Sequence, residues 1–298
     1  MIVNASIMSA VFTNLRTDFN QAFAAAPSQW AKVAMKVPSG SSQNDYKWLS
    51  AFPKMRRWVG DKHVKNLAAF SYTIVNDDWE ATVEVDRNHV EDDTLGIYGP
   101  QAQMAGFAAA QLPDELVFTL VNAAATNLCY DGKAFFAADH PVGSSAVSNT
   151  DTNLLQADDL SNAQASYGAA RTAMQSFADD EGRPLGVTPN VLLVPPALED
   201  TARILMTAER LGDYPNPYRN TAEVVVSPWL TVATNWFLLD CTKPVRPFIY
   251  QERKAPTFVQ QVGLDNDDVF NRRSFKYGAE ARAAAGYGFW QLAYGNIQ

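Results

Sequence analysis

From Gln101 to about Thr126 the chain repeats an apolar or small residue every fourth position: Met104, Ala108, Leu112, Leu116, Leu120 and Ala124, widened by Phe107, Val117 and Val121. That spacing predicts one long helix with this stripe buried. At about 1.5 Å per residue it would span on the order of 39 Å. Pro113 lies inside it, where proline removes a backbone donor and crowds the preceding turn at a cost of about 3 kcal/mol. Pro113, Asp114 and Glu115 also suit the opening of a second helix, with acids at the positive end of the dipole. The register runs unbroken through Pro113 and favours a single helix, kinked there.

Residues 4–26 place Met8, Val11 or Phe12, Leu15, Phe19 and Phe23 at helical spacing behind Asn4 as a cap, an amphipathic N-terminal helix. Val37 to Gln43 has the composition of an exposed connector. Residues 68–75 and 79–87 read as strands joined by a turn at Asn76, Asp77 and Asp78. In the second run Glu80, Thr82, Glu84 and Asp86 alternate with Ala81, Val83 and Val85, a ribbon with one charged face. After the long helix, Asp131-Gly132 marks a turn, His140-Pro141 an extended exit, and the small polar stretch 143–153 a boundary. Beyond it a helix near 158–177, a buried strand at 188–195, a helix at 197–210 and a Pro/Tyr/Asn loop at 212–220 follow. Strands at 223–226, 236–240, 245–252 and 257–262 complete an α+β pattern without internal repeats.

A chain of 298 residues, 47% hydrophobic, can bury one large core or two smaller ones. Neither a membrane-spanning run nor a signal-peptide pattern is expected, which points to a soluble protein made inside the cell. The formal charge of −8 argues against gripping nucleic acid through phosphates. Compact basic clusters occur at Met55 to Trp58 and Asn271 to Arg273. Between Asp45 and Asp61, Tyr46, Trp48, Phe52 and Trp58 mix with Lys47, Lys54, Arg56 and Arg57, a combination typical of contact surfaces. Cys129 and Cys241 are too few for a disulfide framework or a four-cysteine zinc site.

Candidate chemistry is sparse. Cys129, Asp131, Asp139 and His140 form the constellation that invites a catalytic or metal reading, whereas His63 and His89 lie far off in sequence, without HExxH or CxxC spacing. A structural, hydrogen-bonding His140 is the plainer expectation. Glu91 to Asp93 and Asp265 to Asp268 lack EF-hand order, and no P-loop, dinucleotide fingerprint or nucleophile elbow occurs. So many aromatics without a site suggest a protein whose work is contact.

The order of short features resembles the Mu-like prophage major head subunit family, tailed-phage capsid proteins of the Hong Kong 97 type. The resemblance is carried by the arm around Phe12 to Phe23, Tyr46 to Leu49, Phe52 to Asp61, Asn76 to Val85, Glu91 to Tyr98, Leu112 to Val117, Cys129 to Phe136, Asp139 to Pro141, Val191 to Glu199 and the closing Gly286 to Ala293. It implies an α+β capsid fold: arm and linker (1–50), extended β-hairpin loop (51–90), peripheral domain with a spine helix (91–150), axial domain (151–245) and return to the peripheral domain (246–298). The implied function is a non-enzymatic major capsid protein that assembles through hexamers and pentamers into an icosahedral shell around double-stranded DNA. Scaffold, portal and decoration proteins are its implied partners, the virion capsid assembled in the host cytoplasm its location, and no cofactor or metal is implied. The chain is expected to begin directly with the arm. Candidate interface residues are Phe12, Phe19, Trp48, Arg56, Arg57, Trp58, Lys62, Trp79, Glu80, Glu84, Tyr214 and Tyr218. A nanocompartment shell and a small hydrolase using Cys129 and His140 are the alternatives.

Overall fold

The computed structural model describes residues 5–50, 72–86, 88, 98–261, 263 and 266–298. The predicted long helix is one element, α3 (Tyr98–Asn122), continuous through Pro113; its 25 residues span about 37 Å. Its buried face is the predicted one only from Leu112 onward, where Leu112, Val117, Val121 and, just past the helix, Ala124 are buried. Ala102, Gly106, Ala109, Leu112, Val117 and Val121 point inward, whereas Met104 is 74% and Phe107 42% exposed. In so alanine-rich a helix almost any face is apolar, and close approach decides the orientation. Helix α1 (Ala5–Ala25) crosses α3 so tightly that a Cβ on Gly106 would lie 2.3 Å from the Phe19 carbonyl oxygen. Small residues therefore face inward and large ones outward.

Asp114 follows the same logic. Its carboxylate is buried and serves another element: it accepts hydrogen bonds from the backbone N–H of Gln29 (2.9 Å) and of Trp30 (2.6 Å) at the start of α2 (Trp30–Val33). A carboxylate on free N–H groups at a helix start satisfies donors that the helix itself leaves unpaired. The arm is thereby tied to the middle of α3.

A four-stranded sheet carries both helices, in the order β1 (Ala34–Pro38), β13 (Phe248–Gln261), β14 (Ser274–Tyr287), β4 (Asp77–Asp86). Strands β13 and β14 form a long antiparallel hairpin, with register shifts between Glu252 and Thr257; β1 adds parallel to β13. Among the described residues of the expected hairpin between 68–75 and 79–87, the two strands do not pair with each other. Strand β3 (Thr73–Val75) pairs with β2 (Gln43–Asp45), and β4 pairs with β14 from Ser274↔Asp86 to Ala283↔Asp77. Asn76, read as a turn residue, is buried. Its Nδ2 donates to Ser39 Oγ and Ser41 O, both at 2.9 Å, and its Oδ1 accepts from Gln251 Nε2 at 2.7 Å. Side-chain bonds to both flanking segments hold the chain extended here instead of letting it fold back. Ser39, expected in an exposed connector, is buried in the same network.

The second sheet runs β11 (Glu223–Val226), β8 (Val191–Val194), β12 (Trp236–Leu239), β15 (Ala293–Asn296), β7 (Thr150–Asp151). All residues of β8 and β12 are buried, as expected of central strands covered on both faces. Packed near it are α4 (Leu160–Ala163), capped by Asp159, a π turn (Gln164–Gly168), α5 (Ala169–Gln175) and α6 (Glu199–Thr207). The C-terminal third divides: β13 and β14 join the first sheet, but β15 enters the second. The small polar stretch 143–153 is no free linker, since it supplies β6 (Ser145–Val147), β7 and the fully buried Asn149.

Gly106→Ala gains helix propensity of about 1 kcal/mol, yet its methyl meets backbone, which cannot swing aside. The expected net effect is a loss of about 1–3 kcal/mol, read from the midpoint of chemical unfolding. An unchanged or higher midpoint would show that the crossing is looser than drawn.

Candidate assembly interface

Two predicted contact residues are turned into their own subunit. Phe12 and Phe19 are each 1% exposed. Phe12 meets Phe275 edge-on (centroids 5.5 Å apart) and Phe19 packs on Phe258 (5.4 Å), which seats α1 on the β13–β14 hairpin. Trp48 falls in the 3-10 turn Lys47–Ser50. Arg56, Arg57, Trp58 and Lys62 lie outside the described residues, as do His63, His89 and Glu91 to Asp93. Trp79 is half-buried, its indole N–H donating to Ala283 O at 3.0 Å, and Glu80 and Glu84 are exposed on β4. Tyr214 is 63% exposed on the small hairpin β9 (Arg210–Leu211) and β10 (Tyr214–Pro215). Tyr218 instead packs edge-on against Tyr167 at 5.2 Å.

Between α3 and the β4 edge lies a groove of about 290 Å³. Ala108, Ala109, Leu112, Ala279 and Ala281 line it with small apolar groups, and Glu80, Glu115 and Glu280 give it acidic groups. Glu80 and Glu280 stand directly across from each other on β4 and β14, a like-charged pair that weakens an isolated sheet. Lys254 offsets part of this by bonding Glu280 at 3.0 Å. Near the groove on the same helix stand the exposed Met104 and Phe107. Sequence periodicity assigned both to the core, so it missed the most exposed large apolar residue on α3.

The Cys129, Asp131, Asp139 and His140 constellation separates into two parts. Asp139 pairs at the surface with Lys133. Cys129, Asp131 and His140 converge in the interior, their nearest donor and acceptor atoms within 4.8 Å. His140 Nδ1 lies 2.7 Å from Asp131 Oδ2, and the Cys129 thiol donates to Asp131 Oδ1 at 3.1 Å. Adjacent ligands of a tetrahedral metal stand about 3.3 Å or more apart for bonds of about 2.0–2.3 Å, so these are hydrogen-bond lengths. Burial, and then the Asp131 charge, push the Cys129 thiol well above the ordinary thiol range, the reverse of what a nucleophile needs. The arrangement is a closed structural cluster, with His140 in the hydrogen-bonding role expected of it.

The family model for the Mu-like prophage major head subunit gpT matches residues 8–165, 156–230 and 231–298. The Mu-like prophage FluMu major head subunit of Haemophilus influenzae is 31% identical over 292 residues, covering 98% of this chain and 73% of that protein. The major capsid protein of Escherichia phage Mu is 33% identical over 298 residues, covering 98% and 74%. Among solved structures, a procapsid of bacteriophage JBD30 superposes with a TM-score of 0.63 at 32% identity, over 99% of this chain and 76% of that one.

Burial also pushes the Cys241 thiol up, to about 12. Both thiols are therefore expected to resist alkylation at pH 8 in the native protein and to react within the mixing time once it is unfolded in denaturant. Rapid native labelling of Cys129, followed by peptide mass spectrometry, would refute the closed cluster.

Proposed function

The chain belongs to the Mu-like prophage major head subunit family, and on that footing we propose that it builds the shell of a phage or prophage head by packing against copies of itself. The observation that carries this reading is the match to head and capsid proteins over almost the whole chain, at the level of both sequence and fold. The nanocompartment alternative is not favoured beside it. A Cys129 hydrolase has no support in the cluster's chemistry, and the reading here is a structural protein without catalysis.

Within this proposal the four-stranded sheet with α1 and α3 is the peripheral part, and the β7–β8–β11–β12–β15 sheet with its helices is the axial part. The paired stem β2–β3 brackets residues 46–72, which makes that segment, with Arg56, Arg57, Trp58 and Lys62, the candidate for the loop that reaches a neighbour. The acidic groove with Trp79, Glu80 and Glu84 beside it, and Tyr214 at its hairpin, are the described candidate contact points. Apolar patches flanked by charge suit contacts that must be specific yet individually modest. Scaffold, portal and decoration proteins are the expected further partners and the host cytoplasm the expected site of assembly. A net charge of −8 suits enclosing DNA without binding its sequence.

The purified protein is expected to form shells, or the hexamers and pentamers that build them, visible by negative-stain microscopy after size exclusion. A strictly monomeric protein at all concentrations would overturn the reading. The double substitution Glu80→Lys and Glu84→Lys should raise the concentration needed for assembly about ten-fold, equivalent to ~1.4 kcal/mol per subunit, with an unchanged circular dichroism spectrum. Unaltered assembly would remove β4 from the interface.

A further inference from the structure

We infer that His140 is held as a doubly protonated imidazolium, the cationic half of a buried ion pair with Asp131, and that this proton locks the loop after α3 to the C-terminal segment. The inference starts from Asn149. Its Oδ1 accepts from the backbone N–H of Ala137 at 2.9 Å, and its Nδ2 donates to the backbone carbonyl of Phe135 at 2.8 Å, with the carbonyls of Trp290 and Ala293 both 3.4 Å away. Backbone groups donate or accept in one sense only, so the amide cannot be flipped. Its Oδ1 also faces His140 Nε2 at 3.1 Å, and an amide oxygen only accepts, so Nε2 carries a proton.

The other ring nitrogen faces Asp131 Oδ2 at 2.7 Å, while Asp131 Oδ1 takes the Lys133 backbone N–H (3.0 Å) and the Cys129 thiol (3.1 Å). A carboxylate whose Oδ1 already receives two donors is favoured in its ionised, acceptor-only form, so the Nδ1 that faces Oδ2 at 2.7 Å carries a proton as well. Burial alone would raise the Asp131 carboxyl, but the hydrogen bonds from His140, Cys129 and Lys133 bring it below the ordinary carboxylate value. The Trp290 ring stacks on the imidazole at 4.0 Å and 8°, offering the face of its π system to the cation. His140 is wholly buried and the Asp131 side chain 5% exposed, so each charge has the other in place of water.

The titratable groups around the ring on its own loop are Asp131, Cys129 and, at the rim, Lys133 paired with Asp139. Beside them the Tyr130 hydroxyl donates to Gln291 of the C-terminal segment at 2.9 Å. Taking the proton away leaves Asp131 buried without its counter-ion and turns the Nε2 lone pair toward the Asn149 oxygen. The lock is therefore intact while the ring keeps both protons and opens when one is lost. At the acid end it fails as pH falls through the lowered Asp131 value.

The chain has three histidines, so histidine-selective 15N labelling yields a spectrum of three rings, with His140 assigned by elimination from His63→Gln and His89→Gln. At pH 7.5, in free subunits or sedimented assemblies, the two His140 nitrogens are expected to resonate close together, as in a protonated ring. A widely split pair, the signature of a neutral tautomer, would overturn the proposal. Asp131→Asn keeps the shape and removes the charge. It is expected to turn His140 neutral at the same pH, and a ring still doubly protonated in that variant would equally refute the pairing.

Discussion

Two adjacent rings hold the molecule together. Phe135 stacks on Tyr287 at 4.7 Å and leans on Phe248 at 5.3 Å, both on the first sheet. Phe136 turns the other way and stacks on Phe237 of the second sheet at 5.4 Å, against Gly295, where any side chain would strike the ring. One dipeptide after the long helix thus touches both sheets, and the buried residues of the second sheet and of the near end of the first form one core, while those under α1 form two separate clusters. The His140, Asp131 and Asn149 cluster sits beside it and satisfies backbone groups that the change of direction would leave unpaired. A junction of this kind fixes the orientation of the two sheets within the subunit, because packed rings cannot shift without opening gaps.

Much of this was legible in the sequence. The C-terminal end of α1, the presence of α3 though not its ends, the buried runs of β8 and β12 and the turn at Gly132 follow from local pattern and turn chemistry. The facing of α3 before Leu112 did not, because Met104 and Ala102 score alike as apolar and only the backbone of Phe19 at Gly106 chooses between them. Nor did the partner of β4: alternation marks a strand and its charged face, but not which of several strands, some 200 residues away, will pair with it. Asp114 looked like a helix-opening acid and proved to serve a different helix. His140 was legible as a structural residue from its setting before Pro141, whereas Asn149, which determines the ring's protonation, lay in a stretch that reads as linker.

The acidic edge formed by Glu80 and Glu280 has a cost within the subunit, because like charges facing across a strand pair repel. Lys254 relieves part of it from within the subunit. Among the described residues β4 is also the outer strand of its sheet, and exposed glutamates on it discourage indiscriminate strand addition. Charge here acts on specificity more than on stability, as expected of a subunit that must associate with its own kind in one geometry only.

The order of strands has a bearing on timing. Strand β1 waits for β13, more than 200 residues later, β4 waits for β14, and β15 (Ala293–Asn296) fills the gap between β12 and β7, which starts at Thr150. Neither sheet can close before its late strand has been made, since each draws one from beyond residue 270. Pairings this distant in sequence also make for slow folding. A chain still being made therefore lacks the finished surface by which copies would recognise one another until that late segment has emerged, and the topology itself postpones association.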